Sequence, residues 1–436
     1  MIWNKAMECA ERETLEKIQM HKLRGTVKRM YQNVETYRTK MQAKGIKPGD
    51  IQSLEDLKEL PFCTKSDLRD NYPYGMFSSP LHEIVRIHAS SGTTGKPTVV
   101  GYTRNDLESW AECVARALAS AHGDKTSVIQ IAYGYGLFTG GLGAHNGAEY
   151  LGASVIPMSS GNTQKQILLM KDFKSTILCC TPSYALTLAE ACEKAGYGPG
   201  DLSLKSGVFG AEPWTEGMKK EIEKRLGIKA FDIYGLSEVM GPGVACSCDA
   251  NEGMHIQEDY FIPEVIDPVT EKPLADGETG ELVFTTVGKE GIPLIRYRTR
   301  DLCSITRETC SCGRTTARMS KVKGRSDDML IIRGVNVFPS QLETVIGKFK
   351  ELTINYKILV GRKNNTDTFE LHVELAENLA IDDIAFIENL RARMDHELRA
   401  LLGIGCKVRF LNAGTLPRSE GKAVRVEDTR NLSIRV

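Results

Sequence analysis

Five short apolar runs between residues 128 and 235 constrain this chain most. They are VIQIAY (128–133), SVIP (154–157), STILCC (175–180), SGVFG (206–210) and KAFDIYG (229–235). Helix-length stretches such as TQKQILLMKDF and TEGMKKEIEKRLG lie between them. Strand alternating with helix predicts a layered α/β domain on a largely parallel sheet. Ligands of such sheets gather at the carboxyl ends of the strands, so the Gly-rich turns after these runs are where chemistry is expected.

The flanks read differently. Residues 5–44 carry apolar positions at helical spacing among many charges, with no proline, and predict helix. Residues 47–77 are punctuated by proline and glycine and predict short helices and loops. From about 245 to 320, with DPVTEKPLADGETGELVFTT at its centre, short strands and turns predict a β subdomain attached to the sheet. Residues 329–436 predict a separate small α+β unit. Its strand segments are LIIRGVNV, INYKILVG, FELHVEL and KVRFLN, and its helices are PSQLETVIGKF and the stretch from Asp383 to Leu402. In the longer helix Ile384, Ile387, Met394, Leu398 and Leu401 are expected on the buried face. The join GRSDD, 324–328, suits an exposed connection. The expected fold class is therefore α/β. A large N-terminal domain, 1–323, carries parallel sheets and the β subdomain, and a small mobile C-terminal domain follows the hinge.

Lys plus Arg and Asp plus Glu both number 56, so no basic surplus points to nucleic acid or an anionic membrane. A small-molecule partner is expected. The opening MIWNKAMECAERETLEK has no apolar core, and no run approaches the ~18–20 apolar residues of a membrane span. The expected location is the cytoplasm, where the twelve cysteines serve as reduced thiols or metal ligands.

The most informative stretch is Ala89-Ser-Ser-Gly-Thr-Thr-Gly-Lys-Pro-Thr98, set between EIVRIHA and VVGYT. Its glycines let backbone N–H groups approach an anion. The hydroxyls of Ser90, Ser91, Thr93 and Thr94 add donors, and Lys96 adds a positive charge. Only two residues separate Gly92 from Gly95, and Pro97 follows the lysine, so this is not a Walker A loop. The string resembles the phosphate loop of the acyl-adenylate-forming superfamily, which includes acyl-CoA synthetases, luciferases and peptide-synthetase adenylation domains.

That resemblance implies further motifs in fixed order. Gly210-Ala211-Glu212-Pro213-Trp214 would lie against adenine. In Asp232-Ile233-Tyr234-Gly235-Leu236-Ser237-Glu238, Tyr234 would stack on adenine. Glu238 would hold Mg²⁺ beside the phosphates, since a hard cation takes carboxylate oxygen. In Tyr297-Arg-Thr-Arg-Asp301, Asp301 would accept both ribose hydroxyls. The wider superfamily usually has glycine where this chain has Arg300, a departure that matches the phenylacetate-CoA ligase branch. Arg325 of the hinge motif would contact the ribose and Asp327 would be the pivot. Gly334 and Val335 would line the coenzyme A tunnel. Lys422, in Pro417-Arg-Ser-Glu-Gly-Lys422, would reach the substrate carboxylate and the α-phosphate.

The longer strings AYGYGLFTGGLGAH and GRSDDMLIIRGVNVFPSQLE resemble the same branch, over essentially the whole chain. The implied reaction joins an aromatic acid, most readily phenylacetate, to coenzyme A at the expense of ATP through an acyl-adenylate. The alternative is a coenzyme F390 synthetase-like adenylyltransferase. The implied acid pocket is walled by Tyr133, Phe138, Ala144 and Pro242, with core packing as the competing explanation for each. A homodimer is implied by the resemblance alone.

Cys248, His255, Cys310 and Cys312 form two short clusters. Gly313 lets the Cys-x-Cys pair turn both thiolates to one side, and four N/S ligands describe structural Zn²⁺. Cys246 is the alternative to Cys248. The resemblance favours Cys248, because some members of the branch keep only that cysteine with the histidine and the Cys-x-Cys.

Overall fold

The computed structural model describes residues 1–90, 97–326, 330–333, 335–363, 366–377, 379, 384–417 and 425–430. It divides into two compact units, Met1–Glu212 with Lys219–Val322, and Pro213–Met218 with Lys323–Val436.

The first unit is built on a nine-stranded sheet. The spatial order is Ile305–Thr306, Arg318–Met319, Met254–Ile256, Gly241–Ser247, Lys229–Leu236, Ser206–Gly210, Ile177–Cys180, Val128–Ile131 and Ser154–Ile156. The last five are the apolar runs of the sequence, and they pair in parallel. All four residues of Ile177–Cys180 are buried, which explains why that run is apolar without alternation. The helices between the strands start on local signals. Thr103 and Asp106 form a capping box for Arg104–Ser120, and Thr181 caps Pro182–Lys194 with proline in the first turn.

The β-rich region divides between two places. Gly241–Ser247 pairs antiparallel with Lys229–Leu236 and extends the main sheet, together with Met254–Ile256. Phe261–Ile266, Gly280–Thr286 and Tyr297–Cys303 form a separate antiparallel run. The hairpin of Arg86–Ser90 and Thr98–Tyr102 carries the Ser/Thr/Gly loop between its strands.

The single helix expected over 5–44 is three: Lys5–Glu8, Arg12–Asn33 and Glu35–Ala43. Glu8 turns back to accept from the backbone N–H groups of Trp3 and Asn4, which closes the first turn. Val34 is fully buried in extended conformation, so the chain bends there to bury a β-branched side chain.

The second unit has a hairpin, Leu330–Ile332 with Val335–Val337, and the helix Pro339–Ile346. Its four-stranded sheet runs Lys407–Leu411, Thr366–Leu375, Leu352–Lys363 and Val426–Asp428. The last strand carries no apolar pattern, and its parallel pairing to Ile358–Val360 is what makes it a strand. The helix Ile384–Leu402 corrects the expected stripe. It buries Ile387, Leu390, Met394, Leu398 and Leu402, whereas Ile384 and Leu401 are 76% and 44% exposed. A 3.6-residue period runs through 387, 390, 394, 398 and 402, and Ile384 lies at the helix start, where it protrudes beyond the core.

Candidate active site

The carboxyl ends of the parallel strands carry the candidate residues, and their local geometry is unusual. At the end of Lys229–Leu236 the register shifts between Tyr234 and Gly235. A Cβ on Gly235 would lie 1.8 Å from the carbonyl oxygen of Gly241, so only glycine permits this bulge. Tyr234 donates its hydroxyl to Asp301 Oδ2 at 2.6 Å, tying an aromatic face to a carboxylate from another sheet. Arg300, just before that aspartate, has φ +68°. This left-handed conformation is what glycine adopts freely. An arginine held there ion-pairs with Glu281 at 3.4 Å. Ala211, next to Gly210, is likewise at φ +70°, an outlier of the kind that clusters at working sites. Glu212 accepts from the backbone N–H of Ser183 at 2.6 Å, at the start of a helix. The Asp232 N–H donates to Ser247 Oγ, and its carboxylate lies 3.6 Å from Lys321 Nζ. Ile233 is buried opposite Gly210 in the parallel register.

Glu238 sits in the tight turn joining Lys229–Leu236 to Gly241–Ser247. It is 5% exposed, and its carboxylate lies 3.3 Å from Lys65 Nζ. Lys65 carries no signal in the sequence, since its helix Lys65–Asp70 has no motif of its own. Nor does Lys289, which is buried and donates to the carbonyls of Val239 at 2.6 Å and Glu238 at 3.3 Å. Burial pushes the Lys289 ammonium down to about 8, against the opposing pull of Asp106 and Glu238.

The proposed acid-pocket residues differ among themselves. Tyr133 is buried, with its hydroxyl donating to the carbonyl of Val208, and Ala144 is buried in the helix Thr139–Leu151. Phe138 is 43% exposed and Pro242 is half-buried. The glycines of this helix serve close packing: a Cβ on Gly143 would come 2.4 Å from the Trp110 ring and 2.9 Å from Pro242.

Cys248, His255, Cys310 and Cys312 converge, with their ligand atoms all within 4.8 Å of one another. Cys248 Sγ is 3.8 Å from Cys310 Sγ, and Cys312 Sγ is 3.4 Å from His255 Nε2. A tetrahedral Zn²⁺ with ordinary bond lengths needs about 3.8 Å between sulfurs and about 3.6 Å between sulfur and nitrogen, close to these two separations, and three cysteine thiols and an imidazole are the donor types such an ion takes. His255 Nδ1 meets Thr316 Oγ1 at 3.2 Å, which leaves Nε2 toward the thiols. Burial pushes His255 down to about 3, which keeps the imidazole in its neutral, ligating form. Gly313 adopts φ +91° and turns the Cys-x-Cys segment. Cys246 lies outside the cluster, facing Ser120 and Gln257. Arg314 donates to Cys312 Sγ, to Glu8 and to Ser120, tying the cluster to the N-terminal helices.

Ser90 ends the first strand of the hairpin, opposite Thr98. In the second unit Pro213 is exposed, Arg325 is half-buried and Val335 lies in the hairpin. Ser91, Gly92, Thr93, Thr94, Gly95, Lys96, Asp327, Gly334 and Lys422 lie outside the described residues.

The class of protein is given by comparison with known families. The model of the AMP-binding enzyme family matches residues 16–288, and that of the AMP-binding enzyme C-terminal domain matches 334–430. The chain is 53% identical to a phenylacetate-coenzyme A ligase of Escherichia coli strain K12, covering 98% of this chain and 97% of that one. It is 48% identical to a phenylacetate-coenzyme A ligase of Thermus thermophilus, over 99% and 100%. A 2-hydroxyisobutyryl-CoA ligase in the postadenylation state, bound to 2-HIB-AMP, superposes with TM-score 0.91 at 28% identity, covering 98% of this chain and 92% of that one. The protein belongs to the phenylacetate-coenzyme A ligase family and is an AMP-forming acid–CoA ligase of the adenylate-forming fold. Among the described residues no helix is long and apolar enough to cross a membrane.

Proposed function

We propose that the protein converts phenylacetate, ATP and coenzyme A to phenylacetyl-CoA, AMP and diphosphate. An acid carboxylate oxygen attacks the α-phosphorus of ATP, and the α–β phosphoanhydride bond breaks to release diphosphate. The thiol sulfur of coenzyme A then attacks the acyl carbon, AMP leaves with the bonding electrons, and the thiol proton passes to solvent. The first step brings two anions together, so cations and donors must oppose their repulsion. The loop 90–96, with Lys96, and Lys422 would supply them.

The observation that carries this reading is the bond from Tyr234 to Asp301. It joins a flat ring for adenine to a carboxylate for vicinal ribose hydroxyls, beside the strand end that carries Glu238. Gly210, Ala211, Glu212, Pro213, Asp232, Ile233 and Gly235 would line the nucleotide, with Arg325 on the ribose. Tyr133, Phe138, Ala144 and Pro242 would wall the ring of the acid. Asp327 would act as the hinge, and Gly334 and Val335 would border the pantetheine. Glu238 would hold Mg²⁺, which when bound neutralises phosphate charge; a buried carboxylate fits that role.

Cys248, His255, Cys310 and Cys312 would hold a structural Zn²⁺, a role their spacing supports. A reaction fed by ATP and coenzyme A suits the cytoplasm, and the family resemblance supports a homodimer, which light scattering tests. A panel of aryl acids assayed for ATP- and CoA-dependent thioester tests the function. Phenylacetate should yield thioester and AMP in equal amounts. AMP transfer to another hydroxyl without any need for coenzyme A would refute the reading.

A further inference from the structure

The turn that carries Glu238 has an unusual backing. Four successive carbonyls, of Ser237, Glu238, Val239 and Met240, point at two buried side chains. Tyr102 donates its hydroxyl to Met240 at 2.8 Å and to Ser237 at 3.3 Å. Lys289 donates to Val239 and Glu238 and stands 5.1 Å over the Tyr102 ring. Trp110 stacks on Tyr102, with centroids 4.9 Å apart, and donates its indole N–H to the carbonyl of Pro242 at 2.9 Å. These three side chains together hold five backbone carbonyls of residues 237–242. Tyr102 is rooted in Thr98–Tyr102, the strand that returns from the Ser/Thr/Gly loop, and Trp110 in the helix Arg104–Ser120.

A buried ammonium is costly, and an apolar side chain would fill the same space at less expense. A tight turn, by contrast, leaves carbonyls that need donors. A lysine at 4% exposure is therefore explained by what it holds. We propose that Lys289, Tyr102 and Trp110 are positioning residues that act on the two ends of this turn, Tyr102 and Lys289 fixing Glu238 on the metal side and Trp110 fixing Pro242 on the acid side. This rests on the reading that Glu238 binds Mg²⁺. In this role all three act through the backbone of the turn. Tyr102 and Lys289 govern where the Glu238 carboxylate is aimed. Trp110 governs the wall beside the acid.

The test is the Mg²⁺ dependence of ATP–diphosphate exchange with phenylacetate, measured on the full chain alongside urea unfolding. Tyr102→Phe and Lys289→Met should each raise the Mg²⁺ concentration for half-maximal exchange roughly tenfold, with most of the rate recovered at saturating Mg²⁺. Trp110→Phe should instead raise the KM for phenylacetate and leave the Mg²⁺ requirement unchanged. A general loss of stability would not produce that split. If Lys289→Met does not fold, Tyr102→Phe decides, since it removes one oxygen only. Glu238→Gln is measured in parallel. A Glu238→Gln variant with a raised Mg²⁺ requirement, beside a Tyr102→Phe variant with an unchanged one, overturns the positioning role alone. An unchanged requirement in Glu238→Gln overturns the metal role of Glu238, and this proposal with it.

Discussion

Replacing Tyr234 by phenylalanine separates the two roles proposed for one side chain. The ring, proposed to stack on adenine, remains, and only the hydroxyl that donates to Asp301 is lost. At 2.6 Å the bond lies in the short range of a phenol donating to a carboxylate. Such charge-assisted bonds contribute ~1.5–3 kcal/mol net. Tyr234 and Asp301 are both half-buried, so water can take up part of the loss and the lower end of that range applies. At 1.4 kcal/mol per factor of ten, the ATP KM should rise about tenfold if the bond serves to aim Asp301 at the ribose. Turnover at saturating ATP should change little, because the lost interaction is made equally in ground and transition states. Initial rates with ATP and with 2′-deoxy-ATP provide the assay. The wild type should prefer ATP, and Tyr234→Phe should narrow that preference, since the Asp301 carboxylate loses the phenol bond that helps to aim it at both hydroxyls. Unchanged KM values and an unchanged ATP preference, with only a lowered urea midpoint, would mean that the bond supports the fold and not the nucleotide.

Other substitutions reach the remaining parts of the site. Lys422→Ala should abolish adenylation by a factor of ~100 or more yet largely spare thioester formation from preformed acyl-AMP, and rapid-quench assays of the two half-reactions would show an equal loss in both if the role is wrong. Cys310→Ser should remove the zinc detected by metal analysis and lower the unfolding temperature; unchanged zinc content would eliminate the proposed site. At position 300, where φ is +68°, Arg300→Gly should be more stable than Arg300→Ala by about 1 kcal/mol, because only the alanine keeps a Cβ in the left-handed region. Equal urea midpoints for the two variants would show that the backbone relaxes out of that conformation.

The sequence alone determined the α/β class and the five parallel strands, because strand and helix announce themselves within a few residues through apolar runs, turn glycines and caps. Its local spacing was enough to bring Cys310 and Cys312 to one side at Gly313. It was a poorer guide wherever burial depends on a neighbour distant in the chain. Val34 breaks a helix that its own segment would continue, and Ile384 protrudes although its spacing suits the core. Val426–Asp428 is a strand only through its partner. Spacing left Cys246 and Cys248 as alternatives, the resemblance favoured Cys248, and the tertiary structure brings Cys248 to the cluster. It also set Tyr102 against a carbonyl 138 positions away and Trp110 against one 132 positions away. Hydrogen bonds of that span leave no periodic trace in sequence. They arise because a tight turn at a strand end exposes carbonyls that the packed core must satisfy.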